Sequence, residues 1–254
     1  MRQILILGGT AEARRLAGLL AKRADLKVTL SLAGRTAQPA AQPVPVRIGG
    51  FGGTEGLARY LKSERIDALI DATHPFAATI SQHAAEACAA ASVPILAVRR
   101  AAWTAVPGDR WIETGDMAGA VRALGASPRR VFLTVGRNEV AAFEAAPQHH
   151  YLVRSVDPVD PPLNVPDARY VVARGPFTEA DEKRLLDEHR IETIVAKNSG
   201  GEATYAKIAA ARALGITVVV LRPPALPDVP VVETIAEAAA WLDHVLPSGT
   251  DRGV

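Results

Sequence analysis

A turn of small residues follows the first apolar segment of the chain and has the composition of a phosphate-binding turn. The run Ile4-Leu-Ile-Leu-Gly-Gly-Thr-Ala-Glu-Ala-Arg14 predicts a strand, a turn and the start of a helix. Backbone N–H groups in such a turn, with the helix dipole behind them, suit a pyrophosphate. Thr10 occupies the middle glycine position of G-x-G-x-x-G/A, and its hydroxyl either donates to a phosphate or caps the helix. The candidate cofactor-binding residues of this turn are Gly8, Gly9, Thr10 and Glu12.

The end of the second predicted strand bears on the choice of nucleotide. NAD sites place an Asp or Glu there, about 20 residues after the glycines, against the ribose hydroxyls. The segment Thr29-Leu-Ser-Leu-Ala-Gly-Arg-Thr36 has no carboxylate and offers Ser31, Arg35 and Thr36 instead. A pocket with a cation and hydroxyl groups suits a 2′-phosphate, so the segment favours NADP over NAD. The alternative is that Arg35 is a solvated loop residue.

A third candidate turn, Asp71-Ala-Thr-His-Pro-Phe-Ala77, follows the predicted strand Ala68–Asp71. The carboxyl ends of parallel strands line the ligand crevice of a doubly wound sheet. Pro75 fits the first turn of the next helix, where its missing N–H costs no hydrogen bond. A lone histidine is more often structural than functional, and this alternative stays open. The candidate cofactor contacts of this turn are Thr73, His74, Pro75 and Phe76.

Turns in the second half of the chain carry cations at predicted strand ends. Ala196-Lys-Asn-Ser-Gly-Gly-Glu-Ala-Thr-Tyr-Ala-Lys207 is polar and glycine-rich, and packing alone does not demand this composition. Val135-Gly-Arg-Asn-Glu139 offers Arg137 and Asn138 to a carboxylate. Arg174-Gly-Pro-Phe177 places another arginine after a strand. These turns favour ligand binding over a plain loop.

Composition and absent motifs exclude several classes of protein. The chain has 254 residues and a net charge of +2 without a run of basic residues, which argues against nucleic-acid binding. The longest stretch without Asp, Glu, Lys or Arg is the 14 residues Ala72–Ala85, which is too short to span a membrane. The single cysteine, Cys88, rules out an internal disulfide, and we expect no metal site. The pair His149-His150 is interpreted as exposed. A strand at the N-terminus, in place of a signal peptide, predicts a cytoplasmic protein.

Short apolar segments alternate with helical segments along the whole chain. Strands are predicted at Ile4–Leu7, Val28–Leu32, Ala68–Asp71, Ile95–Val98, Val131–Val135, Tyr151–Arg154, Tyr170–Ala173, Thr193–Ala196 and Val218–Leu221. Helices are predicted at Ala11–Ala21, Gly53–Ser63, Ala77–Ala90, Asp116–Leu124, Asn138–Glu144, Glu179–His189, Ala203–Leu214 and Ile235–Val245. This alternation is typical of α/β proteins whose parallel sheet is covered by helices on both faces.

The chain also repeats itself at a nearly constant offset. The aligned blocks are Ile4–Glu12 with Val131–Glu139, Ile66–Phe76 with Ile191–Gly201, Val93–Arg99 with Ile216–Arg222, and Ile112–Thr114 with Val232–Thr234. Four blocks in the same order indicate two related α/β halves. The linker-like Gly125–Arg130 suggests an N-terminal NADP-binding domain at 1–127 and a C-terminal domain at 128–254. The tail after Leu246 is low in complexity and is expected to be disordered.

The turns together resemble those of the precorrin-6A reductase family of cobalamin biosynthesis. The shared motifs cover Ile4 to about Leu246 and are Leu7–Arg14, Asp71–Ala77, Val135–Arg137, Arg174–Phe177, Lys197–Gly201 and Leu221–Pro223. The resemblance implies two Rossmann-like domains with a cleft between them, and the repeat indicates that these domains are related by internal duplication. It also implies NADPH-dependent reduction of one double bond of the precorrin-6A macrocycle, which gives precorrin-6B.

The resemblance further implies a role for the cationic turns, because the macrocycle carries several carboxylates. The implied substrate-binding residues are Arg137, Asn138, Arg154, Arg174, Lys197, Asn198, Ser199, Gly200, Gly201 and Thr204. The proton that completes the reduction could come from His74, Lys197 or water. Two alternatives stay open: another NADP-linked reductase of a small conjugated substrate, and a non-catalytic NADP sensor. The protein could also contact neighbouring pathway enzymes transiently.

Overall fold

The computed structural model describes residues 1–34 and 41–246. Its strands are β1 (Arg2–Leu7), β2 (Leu26–Leu32), β3 (Val46–Ile48), β4 (Ala68–Asp71), β5 (Ile95–Val98), β6 (Trp111–Thr114), β7 (Arg130–Thr134), β8 (His150–Ser155), β9 (Ala168–Val172), β10 (Thr193–Lys197), β11 (Thr217–Leu221) and β12 (Val231–Val232). Its α-helices are α1 (Ala11–Leu20), α2 (Gly53–Ser63), α3 (Ala78–Ala91), α4 (Met117–Ala123), α5 (Glu179–Glu188), α6 (Ala206–Leu214) and α7 (Ile235–Val245). A 3₁₀ helix spans Val140–Ala145. Arg35 and the tail after Leu246 lie outside the described residues.

The described strands form two sheets of six. The order is β12-β5-β4-β1-β2-β3 in the first sheet and β6-β11-β10-β7-β8-β9 in the second. All neighbouring strands run parallel. Read from the opposite edge, each sheet has the strand order of a Rossmann fold. The predicted class, α/β with two Rossmann-like domains, is confirmed, and the matching strand orders agree with the internal repeat.

Helices cover the first sheet on both faces. Ile4 and Ile6 of β1 lie in the core under α1 and α7. Leu5 and Leu7 of the same strand lie in the core under α2 and α3. Because successive side chains of a strand point to opposite faces, one apolar strand supplies both cores. The second sheet has a comparable core on one face, where Phe132 and neighbouring strand residues pack under α5 and α6.

The structure divides the chain at different places from those that the repeat suggested. One unit comprises Met1–Arg100 and the chain from Pro224 onward, and the other comprises Ala101–Pro223. We call these the first and the second unit. Strand β6 and helix α4 therefore lie in the second unit, and β12 and α7 lie in the first. The boundary expected at 127/128 differs from this division.

The connections before β6 and β12 explain the difference. Two neighbouring parallel strands need a crossover connection, which is usually a helix. Residues 99–110, between β5 and β6, contain no helix, and neither do residues 222–230, between β11 and β12. The second connection contains Pro223, Pro224, Pro227 and Pro230, which oppose a helix there. Strand β6 therefore pairs with β11 in the sheet of the second unit, and β12 pairs with β5 in the sheet of the first.

Four elements differ from the sequence prediction. The sequence does not predict β3, β6 or β12, which are short strands at sheet edges. The segment Asn138–Glu144, predicted as an α-helix, forms a turn followed by the 3₁₀ helix. Pro147 follows this helix closely and prevents it from continuing.

Candidate functional site

Two glycines shape the turn between β1 and α1. The Gly8 N–H donates to the Ser31 carbonyl at 2.9 Å, which ties the turn to the end of β2. A Cβ at Gly8 would lie 2.6 Å from Leu30 Cδ1, so a larger residue there would require the buried Leu30 side chain to move. Gly9 has φ of +118°, which favours glycine, and a Cβ there would meet no described atom within 4 Å. The turn is thus closed against β2 and open outward, a shape that suits a pyrophosphate.

The Thr10 hydroxyl is used inside the fold. It accepts a hydrogen bond from the Ala13 N–H at 3.1 Å as the N-cap of α1. It also donates to the Ala72 carbonyl at 2.8 Å. Since a hydroxyl has one proton to donate, the structure shows the capping role and not the phosphate-donor role. The bond to Ala72 joins the first turn to the turn after β4.

Glu12 places a carboxylate in the first turn of α1. Its Oε1 accepts a hydrogen bond from the Arg100 guanidinium at 2.8 Å, and both side chains are about three-quarters or more buried, with 26% and 17% exposed. Helix N-termini attract anions, so an unpaired carboxylate here would compete with a phosphate. The Arg100 guanidinium offsets the charge of Glu12 at this position.

Asp71, at the end of β4, organises the turn that follows. It is 2% exposed and accepts hydrogen bonds from the Thr73 N–H at 3.1 Å and from the Thr73 hydroxyl at 2.6 Å. The Ser81 hydroxyl donates at 2.6 Å, and the Arg99 guanidinium lies at 3.4 Å. These hydrogen bonds fix the Asp71 carboxylate, which in turn holds the groups that donate to it. The predicted contact Thr73 is therefore held by Asp71.

His74, Pro75 and Phe76 form a tight turn before α3. The His74 carbonyl accepts the Ala77 N–H at 2.7 Å, and His74 Nδ1 accepts the Phe76 N–H at 3.2 Å. The helix begins only at Ala78, so Pro75 lies in this turn and not in the first helical turn as predicted. The His74 ring is half-buried at the carboxyl end of β4, near the Phe76 ring at a centroid distance of 5.7 Å.

Lys197 and Glu139 join two strand ends in the second unit. Lys197 ends β10, and its Nζ donates to Glu139 Oε1 at 2.5 Å. The other Glu139 oxygen accepts the Gly136 N–H at 2.8 Å, in the turn after β7. The Lys197 side chain is 16% exposed. The structure thus holds an ammonium group in a fixed place at the carboxyl end of the second sheet.

Asn198 fixes the chain that enters the second unit. Its Oδ1 accepts the Trp103 N–H at 2.7 Å, and its Nδ2 donates to the Trp103 carbonyl at 2.8 Å. The Trp103 indole N–H in turn donates to the Gly201 carbonyl at 2.8 Å. Asn198 is 6% exposed, and both ends of its amide are bound to backbone. Its geometry therefore indicates that it positions the Lys197–Gly201 loop.

The rest of this loop is mostly buried and polar. Ser199 is 6% exposed, and its hydroxyl lies 3.3 Å from that of Thr204. Gly200 is also buried. Lys207, on α6, is 6% exposed and donates to the Thr204 carbonyl at 2.7 Å. Lys207 is therefore a second buried ammonium group beside this loop. Sequence reasoning missed it, although Lys207 is the last residue of the same polar segment.

Three other predicted ligand residues are exposed. Arg137 and Asn138 follow β7, and Arg174 follows β9. The Arg137 guanidinium lies 3.8 Å from Asp157 Oδ2, a loose ion pair at a surface position. These side chains are accessible to a carboxylate ligand.

Arg154, an implied substrate-binding residue, is buried inside the second unit. Its guanidinium donates to Glu182 Oε1 at 2.8 Å, and the two side chains are 8% and 1% exposed. It also lies over the Phe177 and Phe132 rings, at 3.8 and 4.9 Å from their centroids. A charge that is buried and already paired is committed to the fold. The geometry thus speaks for a structural role of Arg154.

Comparison with known proteins relates these turns to one family. The family model described as Precorrin-6x reductase CbiJ/CobK matches residues 3–243. A precorrin-6A reductase of Sinorhizobium sp. is 54% identical over 244 residues, which cover 96% of this chain and 94% of the relative. A precorrin-6A reductase of Rhodobacter capsulatus is 50% identical over 255 residues, which cover 100% of both chains.

The chain belongs to the precorrin-6x reductase family. A solved structure titled CobK precorrin-6A reductase is similar to the whole chain, with a TM-score of 0.93, 49% identity and 100% coverage of both chains. Membership confirms the predicted family, its oxidoreductase class and its place in cobalamin biosynthesis. A reductase family also implies a nicotinamide cofactor, and the open, glycine-lined turn before α1 fits the phosphates of such a group.

The histidine pair His149-His150 and the single cysteine Cys88 lie outside the turns described above. His149, predicted as exposed, is 1% exposed and packs against the Tyr151 ring at a centroid distance of 6.0 Å. The prediction is wrong because an imidazole can bury its apolar ring edge beside an aromatic neighbour. His150 is exposed as predicted. Cys88 is 1% exposed in the core, and burial raises the pKa of its thiol to about 12, which makes it unreactive.

The described part of the chain contains neither a metal-binding cluster nor a membrane-spanning helix. Residues 1–34 and 41–246 hold no group of three or more His, Cys, Asp or Glu side chains arranged to bind a metal ion. Within the same ranges, every helix is too short or too polar to cross a membrane.

Sequence reasoning missed the two acids that organise the turns. Glu139 lies in the motif Val135–Glu139 and Asp71 in the motif Asp71–Ala77, but neither is among the predicted site residues. The repeat aligns Glu139 with Glu12, and this alignment was the available signal. Glu12 pairs with Arg100 and Glu139 pairs with Lys197. Because each partner is distant in the sequence, the sequence alone does not predict these ion pairs.

Proposed function

We propose that this protein reduces one double bond of precorrin-6A to give precorrin-6B, with NADPH as the hydride donor. The observation that carries the proposal is the turn between β1 and α1. It is closed against Leu30 at Gly8 and open outward at Gly9, and it leads into a capped helix within a precorrin-6x reductase chain. This turn accepts a dinucleotide pyrophosphate through backbone N–H groups.

The first unit is proposed to hold the cofactor. Gly8 and Gly9 contact the pyrophosphate, and the Asp71-anchored turn with Thr73 and His74 borders the nucleotide at the neighbouring strand end. Ser31 and the arginine at position 35 are proposed for the adenine ribose, where the absence of a carboxylate favours a 2′-phosphate. When bound, NADPH supplies the hydride, and the protein supplies binding and orientation.

The second unit is proposed to hold the macrocycle. Arg137, Arg174 and Lys197 offer cations at strand ends to the substrate carboxylates. The reduction also requires one proton on the macrocycle. Lys197 is the proposed source, because Glu139 holds its ammonium group at a fixed place on the carboxyl edge of the sheet. His74 is the other candidate side chain.

The relatives favour the metal-free macrocycle as substrate. The two relatives at 54% and 50% identity are named precorrin-6A reductase. A relative named cobalt-precorrin-6A reductase, from Priestia megaterium, is only 26% identical over 246 residues, which cover 92% of this chain and 95% of that relative. A cytoplasmic location and transient contacts with neighbouring pathway enzymes stay predictions.

The test is turnover by the purified full-length protein with precorrin-6A and either NADPH or NADH, without oxygen. We expect one NADPH to be oxidised for each macrocycle reduced, with NADH a much poorer donor. Cofactor binding without oxidation would overturn the reductase proposal and support a sensor. Equal rates with NADH would overturn only the choice of cofactor.

A further inference from the structure

Arg47 is a half-buried cation without a carboxylate partner among the described residues. It lies on the edge strand β3, which ends at Ile48. Its partner in the parallel register on β2 is Ser31, one of the proposed ribose contacts. By contrast, Arg100 of the same unit is paired with Glu12 at 2.8 Å. The positive charge of Arg47 is therefore not neutralised by a neighbouring acid.

The guanidinium of Arg47 is nevertheless held rigidly. Its Nη1 donates to the Gly49 carbonyl at 2.6 Å, and its Nη2 donates to the Gly50 carbonyl at 2.8 Å. Its carbon lies 3.8 Å from the Phe51 ring centroid and 5.3 Å from that of Tyr60. A guanidinium has five N–H donors in a fixed plane, so these two bonds orient it and leave donors for a ligand.

The position of this group is that of a ribose contact. Gly49 and Gly50 follow the last residue of β3, so the guanidinium reaches beyond the strand end. The Gly49 N–H donates to the Leu32 carbonyl at 2.9 Å, which ties this loop to the end of β2. A Cβ at Gly49, whose φ is +113°, would meet no described atom within 4 Å, so the loop is open outward. The end of the second strand is where Rossmann folds discriminate between the two nicotinamide nucleotides.

We infer that Arg47 is a specificity-determining residue that binds the 2′-phosphate of the adenine ribose. The inference deepens the proposed function and rests on it. The ligand chemistry is a phosphate monoester, which a planar, preoriented guanidinium binds through charge-assisted hydrogen bonds. Arg47 acts beside Ser31 on the neighbouring strand, and its fixed plane gives the site a cation that does not depend on Arg35.

The test is calorimetric binding of two nucleotide fragments to the full-length protein. The fragments 2′,5′-ADP and 5′-AMP differ only in the 2′-phosphate, and neither undergoes turnover. We expect Arg47→Ala to weaken 2′,5′-ADP binding by about 10–100-fold while 5′-AMP binding changes little. Arg47→Lys should retain part of the preference. The matched control is Arg59→Ala on α2, since Arg59 is 76% exposed and 3.8 Å from Glu55.

The outcomes separate this inference from the proposed function. A wild-type protein that binds both fragments equally overturns the use of NADPH, and with it the role of Arg47. A wild-type preference for 2′,5′-ADP that survives in Arg47→Ala overturns the role of Arg47 alone. An equal loss of both fragments in Arg47→Ala also overturns it, because Arg47 would then only support the Gly49–Gly50 loop.

Discussion

The first βα turns of the two units can be compared directly, because the repeat aligns them. In the first unit, β1 leads through Gly8, Gly9 and Thr10 into α1, an α-helix of 10 residues capped by Thr10. In the second unit, β7 leads through exposed Arg137 and Asn138 into a 3₁₀ helix of 6 residues without a side-chain cap. The first turn offers backbone N–H groups and a helix dipole, and the second offers side-chain cations.

This difference separates the ligands that each turn can bind. A pyrophosphate needs close backbone approach, which the Gly8–Gly9 turn permits. Carboxylates at the rim of a macrocycle are widely spaced, and long arginine and lysine side chains can reach them. Between the aligned blocks Gly8–Glu12 and Val135–Glu139, three of the five positions differ, and the helix that follows differs as well.

One feature of the turn is common to both units. Glu12 and Glu139 occupy aligned positions, and each is paired with a cation from another strand end, Arg100 or Lys197. In the first unit the pair removes negative charge from a helix N-terminus. In the second unit it fixes the ammonium group that we propose as the proton source.

The largest expected effect separates the two units by function. We expect Lys197→Met to lower kcat/KM for precorrin-6A by about 10²–10³-fold, because general acids contribute on that order. NADPH affinity should stay unchanged, since this residue belongs to the second unit. Steady-state kinetics and nucleotide binding measure both quantities. Lys183→Met is the matched control, because Lys183 is also an ion-paired lysine of this unit, with Glu179 at 2.6 Å. Unchanged turnover would remove Lys197 from the site.

The next effect tests the first unit alone. We expect Arg35→Ala to lower the preference for NADPH over NADH by about 10–100-fold, since a charge-assisted phosphate contact is worth roughly 1.5–3 kcal/mol. NADH has no 2′-phosphate to lose, so its KM should hardly change. Kinetics with both cofactors give the ratio. Equal losses with the two cofactors would indicate a structural arginine instead.

Buried strands are the elements that the sequence predicts best. The buried strands of both sheets were predicted within a few residues, because Val, Ile and Leu runs such as Val218–Leu221 report burial on both faces. The repeat correctly pairs Ile112–Thr114, which lies within β6, with Val232–Thr234, which contains the last residue of β12 and the two residues after it. Their exchange between sheets was not predicted, because strand pairing is non-local. The missing crossover helix before each strand was the available signal.

Individual site residues were harder to predict than the turns that contain them. Arg154 looked like a ligand contact because it ends a strand, yet Glu182, 28 residues later, neutralises it inside the second unit. Asn198 looked like a polar ligand contact, yet its amide is bound to the backbone of Trp103, 95 residues earlier. A sequence shows which side chains can do chemistry, but their partners come from tertiary structure.

A smaller effect concerns the pH dependence of stability. Burial lowers the pKa of His149, in the second unit, below its ordinary value. Below about pH 6.5, His149 is therefore protonated more fully in the unfolded chain than in the folded one. The free energy of unfolding then decreases as the pH is lowered, by at most about 1.4 kcal/mol per pH unit. Urea unfolding should show that His149→Phe reduces this slope. His244→Phe, at an exposed position of α7, is the control and should not change it. An unchanged slope in His149→Phe would show that another group causes it.

The smallest effect tests whether Arg100 neutralises Glu12 at the nucleotide-binding turn. Arg100→Ala leaves Glu12 uncompensated in the first turn of α1, so we expect NADPH binding to weaken by about fivefold, which corresponds to roughly 1 kcal/mol for one partly exposed pair. Glu12→Gln should bind NADPH at least as well as wild type.

The double variant Arg100→Ala with Glu12→Gln decides between two mechanisms. If Arg100 acts by masking Glu12, the double variant returns to wild-type affinity, and salt reduces the defect of Arg100→Ala because it screens the exposed charge. If Arg100 instead contacts the phosphates itself, the double variant stays as weak as Arg100→Ala, and the two aligned acids would have to be explained separately.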